Sequence, residues 1–300
     1  MTALNKDARE FHKELAQDYI AKLESSGVTD PENYFEQVNA FTHGRITEEE
    51  DVREFLGDEE LPLEAFYRVA PTCGQDVMMA TLNPGMQNSL SLSTFTDGEY
   101  GRQQEVGTDL EWKAAKVAAN QDGFLTHRDN MFSDLIDGLR SELDLMDGSG
   151  SLEDYLDCSE DSPLDGFFGD VCYTWMYKLA TPDDGYISGL GGPSKSEARE
   201  RFAEEIFDVV EPKVLVCVGK DGWKTVWDYL DNPEDEIEAY SEDSPVTDSY
   251  HPKLEKGAYS GLYRIESEDL WVITTWHASY WVKSDRLRRN AQKLNEELSV

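Results

Sequence analysis

The sequence has few cysteines, no long apolar run and no sign of a secretory leader. Its four cysteines are widely separated and form no C-x-x-C pair, so the pattern does not indicate a zinc or iron–sulfur centre, and we expect reduced, mostly buried thiols. No apolar run approaches the roughly 20 residues that span a bilayer. The start MTALNKDARE lacks the basic, apolar and small-residue order of a secretory signal. We therefore expect a soluble, cytoplasmic protein without a membrane partner.

Positive charge is also scarce. Only 27 Lys and Arg residues stand against 62 Asp and Glu, which gives a formal net charge of −35. Such a surface repels itself at ordinary ionic strength, whereas in molar salt the Debye length is roughly 3 Å and the repulsion is screened. A disordered acidic chain is excluded, because 39% apolar and 11% aromatic residues are enough for a core. The composition predicts a folded protein of a halophilic cytoplasm.

No linker rich in Ser, Gly or Pro divides the chain, so we expect one α/β domain with insertions. Apolar residues at helical spacing in 6–25, followed by Gly27, predict an N-terminal helix. The expected organisation is an N-terminal helical and acidic segment at 1–70 that packs on the core. An α/β domain follows at 71–300, with insertions at about 88–124, 147–166 and 231–268. The last two are acidic and indicate solvated insertions, and the first leaves a strand end where it could fold over a site as a lid.

Four apolar runs predict the strands of the fold. They are nearly continuous and end in Gly, Pro or polar residues, which is typical of a parallel sheet covered on both faces. Helical patterns follow all four, so we expect a three-layer α/β/α fold with a central four-stranded parallel sheet, which binds ligands at the carboxyl ends of its strands. The predicted strands lie at 76–85, 169–182, 212–222 and 270–279, and the predicted helices at 129–146, 194–210 with Ser194 as the cap, 222–230 and 285–298.

The first predicted strand ends in Thr81-Leu82-Asn83-Pro84-Gly85. This motif places a short amide side chain at the ligand-binding edge of the sheet. Asn-Pro-Gly is also a common turn sequence, because Pro fixes φ and Gly accepts a positive φ. Alone, the motif indicates only a turn.

The last predicted strand ends in the run WHASYW at 276–281, which brings His277 to the same edge. Alone, this residue is better explained as a hydrogen-bonded histidine at a strand end. Basic residues follow His277 in an otherwise acidic chain, and they suit contacts with the phosphate backbone of a nucleic acid. The neighbouring aromatic side chains suit insertion between bases. Ion pairing with the acidic surface explains the basic residues equally well. The aromatic and basic residues concerned are Tyr280, Trp281, Lys283, Arg286, Arg288 and Arg289.

The order of four motifs resembles the uracil-DNA glycosylase superfamily. In its mismatch-specific and single-strand-selective branches the first strand ends in G-x-N-P-G, and a motif near the C-terminus begins H-P-S. This chain has Thr81 in place of the leading Gly and Ala278 in place of the Pro. The matching stretches are T-L-N-P-G at 81–85, the strand around Lys178 at 171–182, V-L-V-C-V-G at 214–219 and H-A-S at 277–279, and the likeness covers about residues 70–298.

The resemblance implies a monomeric, cofactor-free and metal-free enzyme of base excision repair. It implies hydrolysis of the N-glycosidic bond of a flipped-out uracil, or of another damaged or mispaired base, in single- or double-stranded DNA. Asn83 then positions the attacking water, and His277 donates a hydrogen bond to O2 of the departing base. The other implied roles are substrate contacts for Pro84, Gly85, Phe95, Trp175 and Ser279, insertion into the base stack for Tyr280 and Trp281, and phosphate contacts for Lys283, Arg286, Arg288 and Arg289.

Two other functions stay open. Trp175 stands nearest to the position where several branches keep an Asn that reads the pyrimidine edge, so the chain could instead bind nucleic acid or a nucleotide without cleavage. An unrelated doubly wound enzyme is the third alternative. It lacks support, because the sequence has no G-x-S-x-G elbow, no G-x-x-x-x-G-K-[ST] loop and no G-x-G-x-x-G after a strand.

Overall fold

The computed structural model describes residues 6–29, 76–81, 138–146, 171–179, 192–240, 246, 260–275 and 284–299, which form an α/β arrangement of helices around one mixed sheet. The helices are α1 (Lys6–Ser25), α2 (Lys195–Glu204), α3 (Lys220–Tyr229), α4 (Pro233–Glu236) and α5 (Ser284–Leu298). A π-helical turn, Glu205–Val210, continues α2, and residues 138–140 are also helical. The strands are β1 (Val77–Thr81), β2 (Cys172–Trp175), β3 (Val214–Val218), β4 (Ile237–Ala239), β5 (Gly261–Ile265) and β6 (Leu270–Thr275). The predicted insertions at 88–124 and 147–166 lie outside the described residues.

In the described part of the chain, the sheet has six strands in the order β2-β1-β3-β6-β5-β4. Strands β1, β2, β3 and β6 lie within the four predicted runs and pair in parallel, whereas β5 is antiparallel to both β6 and β4. The expectation of a purely parallel four-stranded sheet is therefore corrected to a mixed sheet of six. The physical reason is the short connection from β5 to β6, a 3₁₀ turn at Glu266–Glu268 closed by Asp269 at φ 50°. A connection of this length permits only an antiparallel neighbour.

One face of the sheet is covered by α2, its π-helical turn and α3. Met78, Leu215 and Val272 are neighbours on three adjacent parallel strands. They form one buried cluster with Phe202 of α2 and Trp223 of α3. Each side chain of this kind contributes about 1.5–3 kcal/mol when it is buried completely.

Helix α5 lies against the opposite face. It contacts β5 and β6, and its Lys293 donates a hydrogen bond to the Tyr240 carbonyl. The Tyr240 ring makes an edge contact with Trp271, at 4.8 Å between centroids. Trp271 precedes Val272 in β6, so the two side chains point to opposite faces of the sheet. Helices therefore lie on both faces.

Helix α1 packs against the π-helical turn. Its buried side chains follow helical spacing, and the helix ends at Ser25 as predicted. Gly27 has a φ of 92°, a conformation that residues with a Cβ rarely adopt. Beyond it, the Val28 N–H donates to the Leu23 carbonyl at 3.0 Å, the bond that closes many helix C-termini. Among the described residues, no helix is both long and apolar enough to span a membrane.

Candidate functional site at the carboxyl edge of the sheet

The four parallel strands end in one row. Trp175 at the end of β2 pairs with Thr81 at the end of β1. Val218 at the end of β3 pairs with Thr275 at the end of β6. The register between β1 and β3 continues this row from Thr81 to Val218. The chain therefore leaves all four strands at the same level and at the same edge, where open α/β sheets bind ligands.

Asn83 and His277 follow the ends of β1 and β6 by two residues each. Both lie outside the described residues. In the sheet, β1 and β6 flank β3, so the strand ends that lead to them are separated by about 10 Å, twice the spacing of neighbouring strands. In the order β2-β1-β3, the chain adds β2 on one side of β1 and β3 on the other, so the strand order reverses between β1 and β3. Doubly wound sheets form a ligand crevice at such a point.

Gly219 joins the ends of β3 and β6. It follows Val218 with a φ of 100°, and its N–H donates to the Thr275 carbonyl at 2.7 Å. A residue with a Cβ is strained in this conformation, which explains a glycine at this turn. The turn leads directly into the N-terminus of α3, whose peptide N–H groups make this part of the edge electropositive.

Asp221 lies in the first turn of α3 and is buried between two cations. Its Oδ1 accepts hydrogen bonds from Lys195 Nζ at 2.9 Å and from Arg199 Nη2 at 2.8 Å. Burial alone would raise the pKa of Asp221, but the bonds and charges of Lys195 and Arg199 lower it. The carboxylate fixes the start of α2 against the start of α3 beside the candidate edge.

Trp175 is the one predicted substrate contact whose side chain the structure describes. It is fully buried, with 0% of its surface exposed. The other predicted contacts and inserting residues, Asn83, Pro84, Gly85, Phe95, His277, Ser279, Tyr280, Trp281 and Lys283, lie outside the described residues. In α5, Arg288 and Arg289 are exposed and Arg286 is partly buried.

A buried polar network lies just beyond β2, and the sequence did not predict it. Lys178 Nζ donates to Thr174 Oγ1 and to Glu205 Oε2, both at 2.5 Å. The Thr174 hydroxyl donates to Glu205 Oε1 at 2.9 Å. His12 Nε2 from α1 approaches the same Glu205 oxygen at 3.3 Å. The network joins α1, β2 and the π-helical turn. A π-helical turn is rare in proteins and is frequent at functional sites.

Charge is stabilised inside this network. Burial alone would raise the pKa of Glu205, but the Lys178 charge and the hydrogen bonds from His12 and Lys178 lower it to about 2. Burial lowers the pKa of His12 and of Lys178 against the opposing effect of Glu205. The sequence signal that could have revealed the site is a polar residue on an apolar stripe. His12 stands four residues before the buried Ala16, and Glu205 three residues after the buried Phe202.

The described residues contain no cluster of three or more His, Cys, Asp or Glu side chains that could hold a metal ion. Cys172 and Cys217 are both buried. Burial raises the pKa of the Cys217 thiol well above its ordinary value. Cys217 therefore lacks the exposure and the thiolate character of a reactive cysteine.

The described geometry defines an α/β protein with a mixed sheet and a candidate ligand edge at the carboxyl ends of its parallel strands. No protein-family model matches the chain, and no curated protein matches it.

Proposed function

We propose that this chain is a DNA glycosylase with a uracil-DNA glycosylase-like arrangement around β1, β2, β3 and β6. It hydrolyses the N-glycosidic bond of a flipped-out uracil or of another damaged or mispaired base. One observation carries the proposal. The ends of β1 and β6, each two residues before Asn83 or His277, lie in one row on either side of β3.

The proposed chemistry needs a positioned water and a hydrogen-bond donor. The bond between the sugar C1′ and the base nitrogen breaks, and the base leaves with the electron pair. His277 donates a hydrogen bond to O2 of the base, where negative charge develops. The Asn83 carbonyl orients a water toward C1′, and after the water adds, its proton passes to solvent. An amide is too weakly basic to deprotonate water, so its contribution is orientation.

The charge on α5 supports a nucleic-acid partner. Arg288 and Arg289 are exposed on the helix that follows His277, in a chain whose net charge is −35. In molar salt, the release of counterions adds little to affinity. Stacking by Tyr280 and Trp281 therefore supplies much of the binding free energy, at about 1–3 kcal/mol for each stacked base.

Trp175 favours a second candidate function, binding of nucleic acid or a nucleotide without cleavage. Its indole is fully buried at the end of β2. An indole has one donor and no acceptor, so it cannot make the paired contacts of an amide with a pyrimidine edge.

The two functions are separated by a strand-cleavage assay. The purified full chain is incubated in molar KCl with single- and double-stranded oligonucleotides that contain uracil, hypoxanthine or a G·T mismatch, and abasic sites are then cleaved with alkali. We expect strand breaks with the wild type. Asn83→Ala and His277→Ala each reduce the rate by about 100-fold or more, the usual effect of losing one preorganised polar contact.

Asn232→Ala is the matched control. Asn232 is exposed, and its side chain makes no capping hydrogen bond to α4. This variant should cleave at the wild-type rate. Binding without breaks favours the second function, whereas neither breaks nor binding with any of these oligonucleotides contradicts both.

A further inference from the structure

His12 is a titratable side chain enclosed between α1 and the core. It is 2% exposed, and its contact with Glu205 Oε1 links α1 to the π-helical turn. The neutral imidazole suits this position, because one ring N–H donates to a carboxylate oxygen that also accepts from Thr174. Nothing in the proposed glycosylase chemistry uses this group.

Burial opposes the protonation of His12 and lowers its pKa, although Glu205 acts in the other direction. Among the described groups, Glu205 from the π-helical turn favours the charged imidazolium, whereas Lys178 beyond β2 disfavours it. Glu205 is already neutralised by Lys178 Nζ at 2.5 Å. Tyr19, further along α1, is a neutral phenol whose pKa is raised by burial. A second cation at His12 is therefore buried beside a carboxylate that already has a cationic partner in Lys178.

We propose that His12 makes the docking of α1 pH-dependent, so that proton uptake by this histidine favours release of α1 from the α/β core. In the docked state His12 is neutral. In the released state it is exposed to water and takes up a proton below its ordinary pKa of about 6.5. The sign follows from linkage: the released state binds more protons, so docking is strongest above pH 6.5 and weakens as the pH falls.

Deuterium exchange tests the pH dependence of α1 docking. The exchange of the full chain in molar KCl is measured by mass spectrometry between about pH 7.5 and pH 5, on either side of the ordinary histidine pKa. Peptides from α1 are compared with peptides from β3 after correction for the intrinsic exchange rate at each pH. In the wild type, we expect the opening of α1 relative to β3 to increase about tenfold for each pH unit below 6.5, which corresponds to uptake of one proton. His12→Gln keeps a side-chain donor without titrating, so its profile should be flat.

Asp18→Asn is the matched control on the same helix. Asp18 is exposed and pairs with Arg201 at 3.0 Å, so the variant loses a surface ion pair of α1 but should keep the wild-type slope. A flat wild-type profile, an unchanged slope in His12→Gln, or α1 and β3 opening together overturns the proposal.

A second measurement does not depend on the folding of His12→Gln. The chain has five histidines, so substitution of each of the other four assigns the imidazole resonances by NMR. The docked His12 should stay unprotonated below its ordinary pKa of about 6.5, and a titration near that value overturns the proposal.

Discussion

At the scale of single residues, the ion pair between Lys178 and Glu205 allows two charged side chains to be buried in the core. Both side chains are 1% exposed, and removal of one partner of such a pair costs about 3–5 kcal/mol because the other charge is left buried. We therefore predict that Lys178→Met lowers the free energy of unfolding by about 3–5 kcal/mol. Urea denaturation at constant KCl measures the change.

The double variant Lys178→Met/Glu205→Gln removes both charges and should cost less than the sum of its two single variants. Lys22→Met is the control, since Lys22 and Glu197 pair at 3.0 Å with 39% and 45% of their side chains exposed. Loss of an exposed pair is worth about 0–1 kcal/mol. Equal costs for Lys178→Met and Lys22→Met would show that the buried pair has no special role in stability.

At the scale of elements, the start of α2 was predicted and is confirmed. The Ser194 side chain accepts from the Glu197 N–H at 3.1 Å, and the Glu197 carboxylate accepts from the Ser194 N–H at 2.6 Å. We predict that Ser194→Ala lowers the free energy of unfolding by about 0.5–2 kcal/mol, as loss of an N-cap usually does. Ser196→Ala, within the same helix and exposed, should change it by less than about 0.5 kcal/mol.

The same cap contributes to the pH dependence of stability. The backbone bond from Ser194 and the bond from Lys22 lower the pKa of Glu197 from 4.5 to about 2. The stabilisation by this carboxylate is therefore fully present above pH 4.5 and is lost as the pH falls toward 2. Denaturation curves of Glu197→Gln should show a smaller loss of stability across this interval than those of the wild type, because this variant has no carboxylate at position 197 to protonate.

The sequence predicted the elements whose patterns are unbroken. The positions of α1 and of the strands β1, β2, β3 and β6 are confirmed, because continuous apolar runs and helical spacing reflect burial directly. Strand β5 was missed inside the stretch 231–268, which we interpreted as a solvated insertion. It carries Arg264, and this cation lies 5.1 Å over the Trp271 ring. A charged residue in a short apolar run favours the prediction of a loop. Trp271, on which Arg264 packs, belongs to another strand, so the short run alone does not reveal the contact.

The polar network was missed for a related reason. His12, Lys178 and Glu205 come from three segments far apart in the sequence, and each alone resembles a surface residue of its helix or strand. The charges of Lys178 and Glu205 are compatible with burial only because these two side chains meet, and His12 contacts the same carboxylate. For the candidate site, the placement of the strand ends at one edge followed from the repeated strand and helix order. The roles of Asn83 and His277 stay predictions, since both residues lie outside the described part of the chain.

At the scale of the whole molecule, the net charge of −35 predicts that stability depends on salt. Repulsion between exposed carboxylates acts over the Debye length, about 10 Å at 0.1 M salt and about 3 Å at 1 M. We expect the midpoint of thermal unfolding to rise as KCl increases through this range, by about 2–4 °C for each kcal/mol of repulsion that is screened. Circular dichroism follows the transition.

A variant with fewer surface charges tests the cause of this dependence. Glu234, Asp235 and Glu238 are exposed on α4 and β4, so Glu234→Gln/Asp235→Asn/Glu238→Gln removes three negative charges without entering the core. If repulsion limits stability at low salt, this variant unfolds at a higher temperature than the wild type at about 0.1 M KCl, and the difference shrinks near 1 M because screening has already removed the repulsion. A difference that persists at 1 M instead assigns the effect to local contacts of α4 and β4. A wild-type midpoint that does not change with KCl contradicts the expectation that the acidic surface is adapted to high salt.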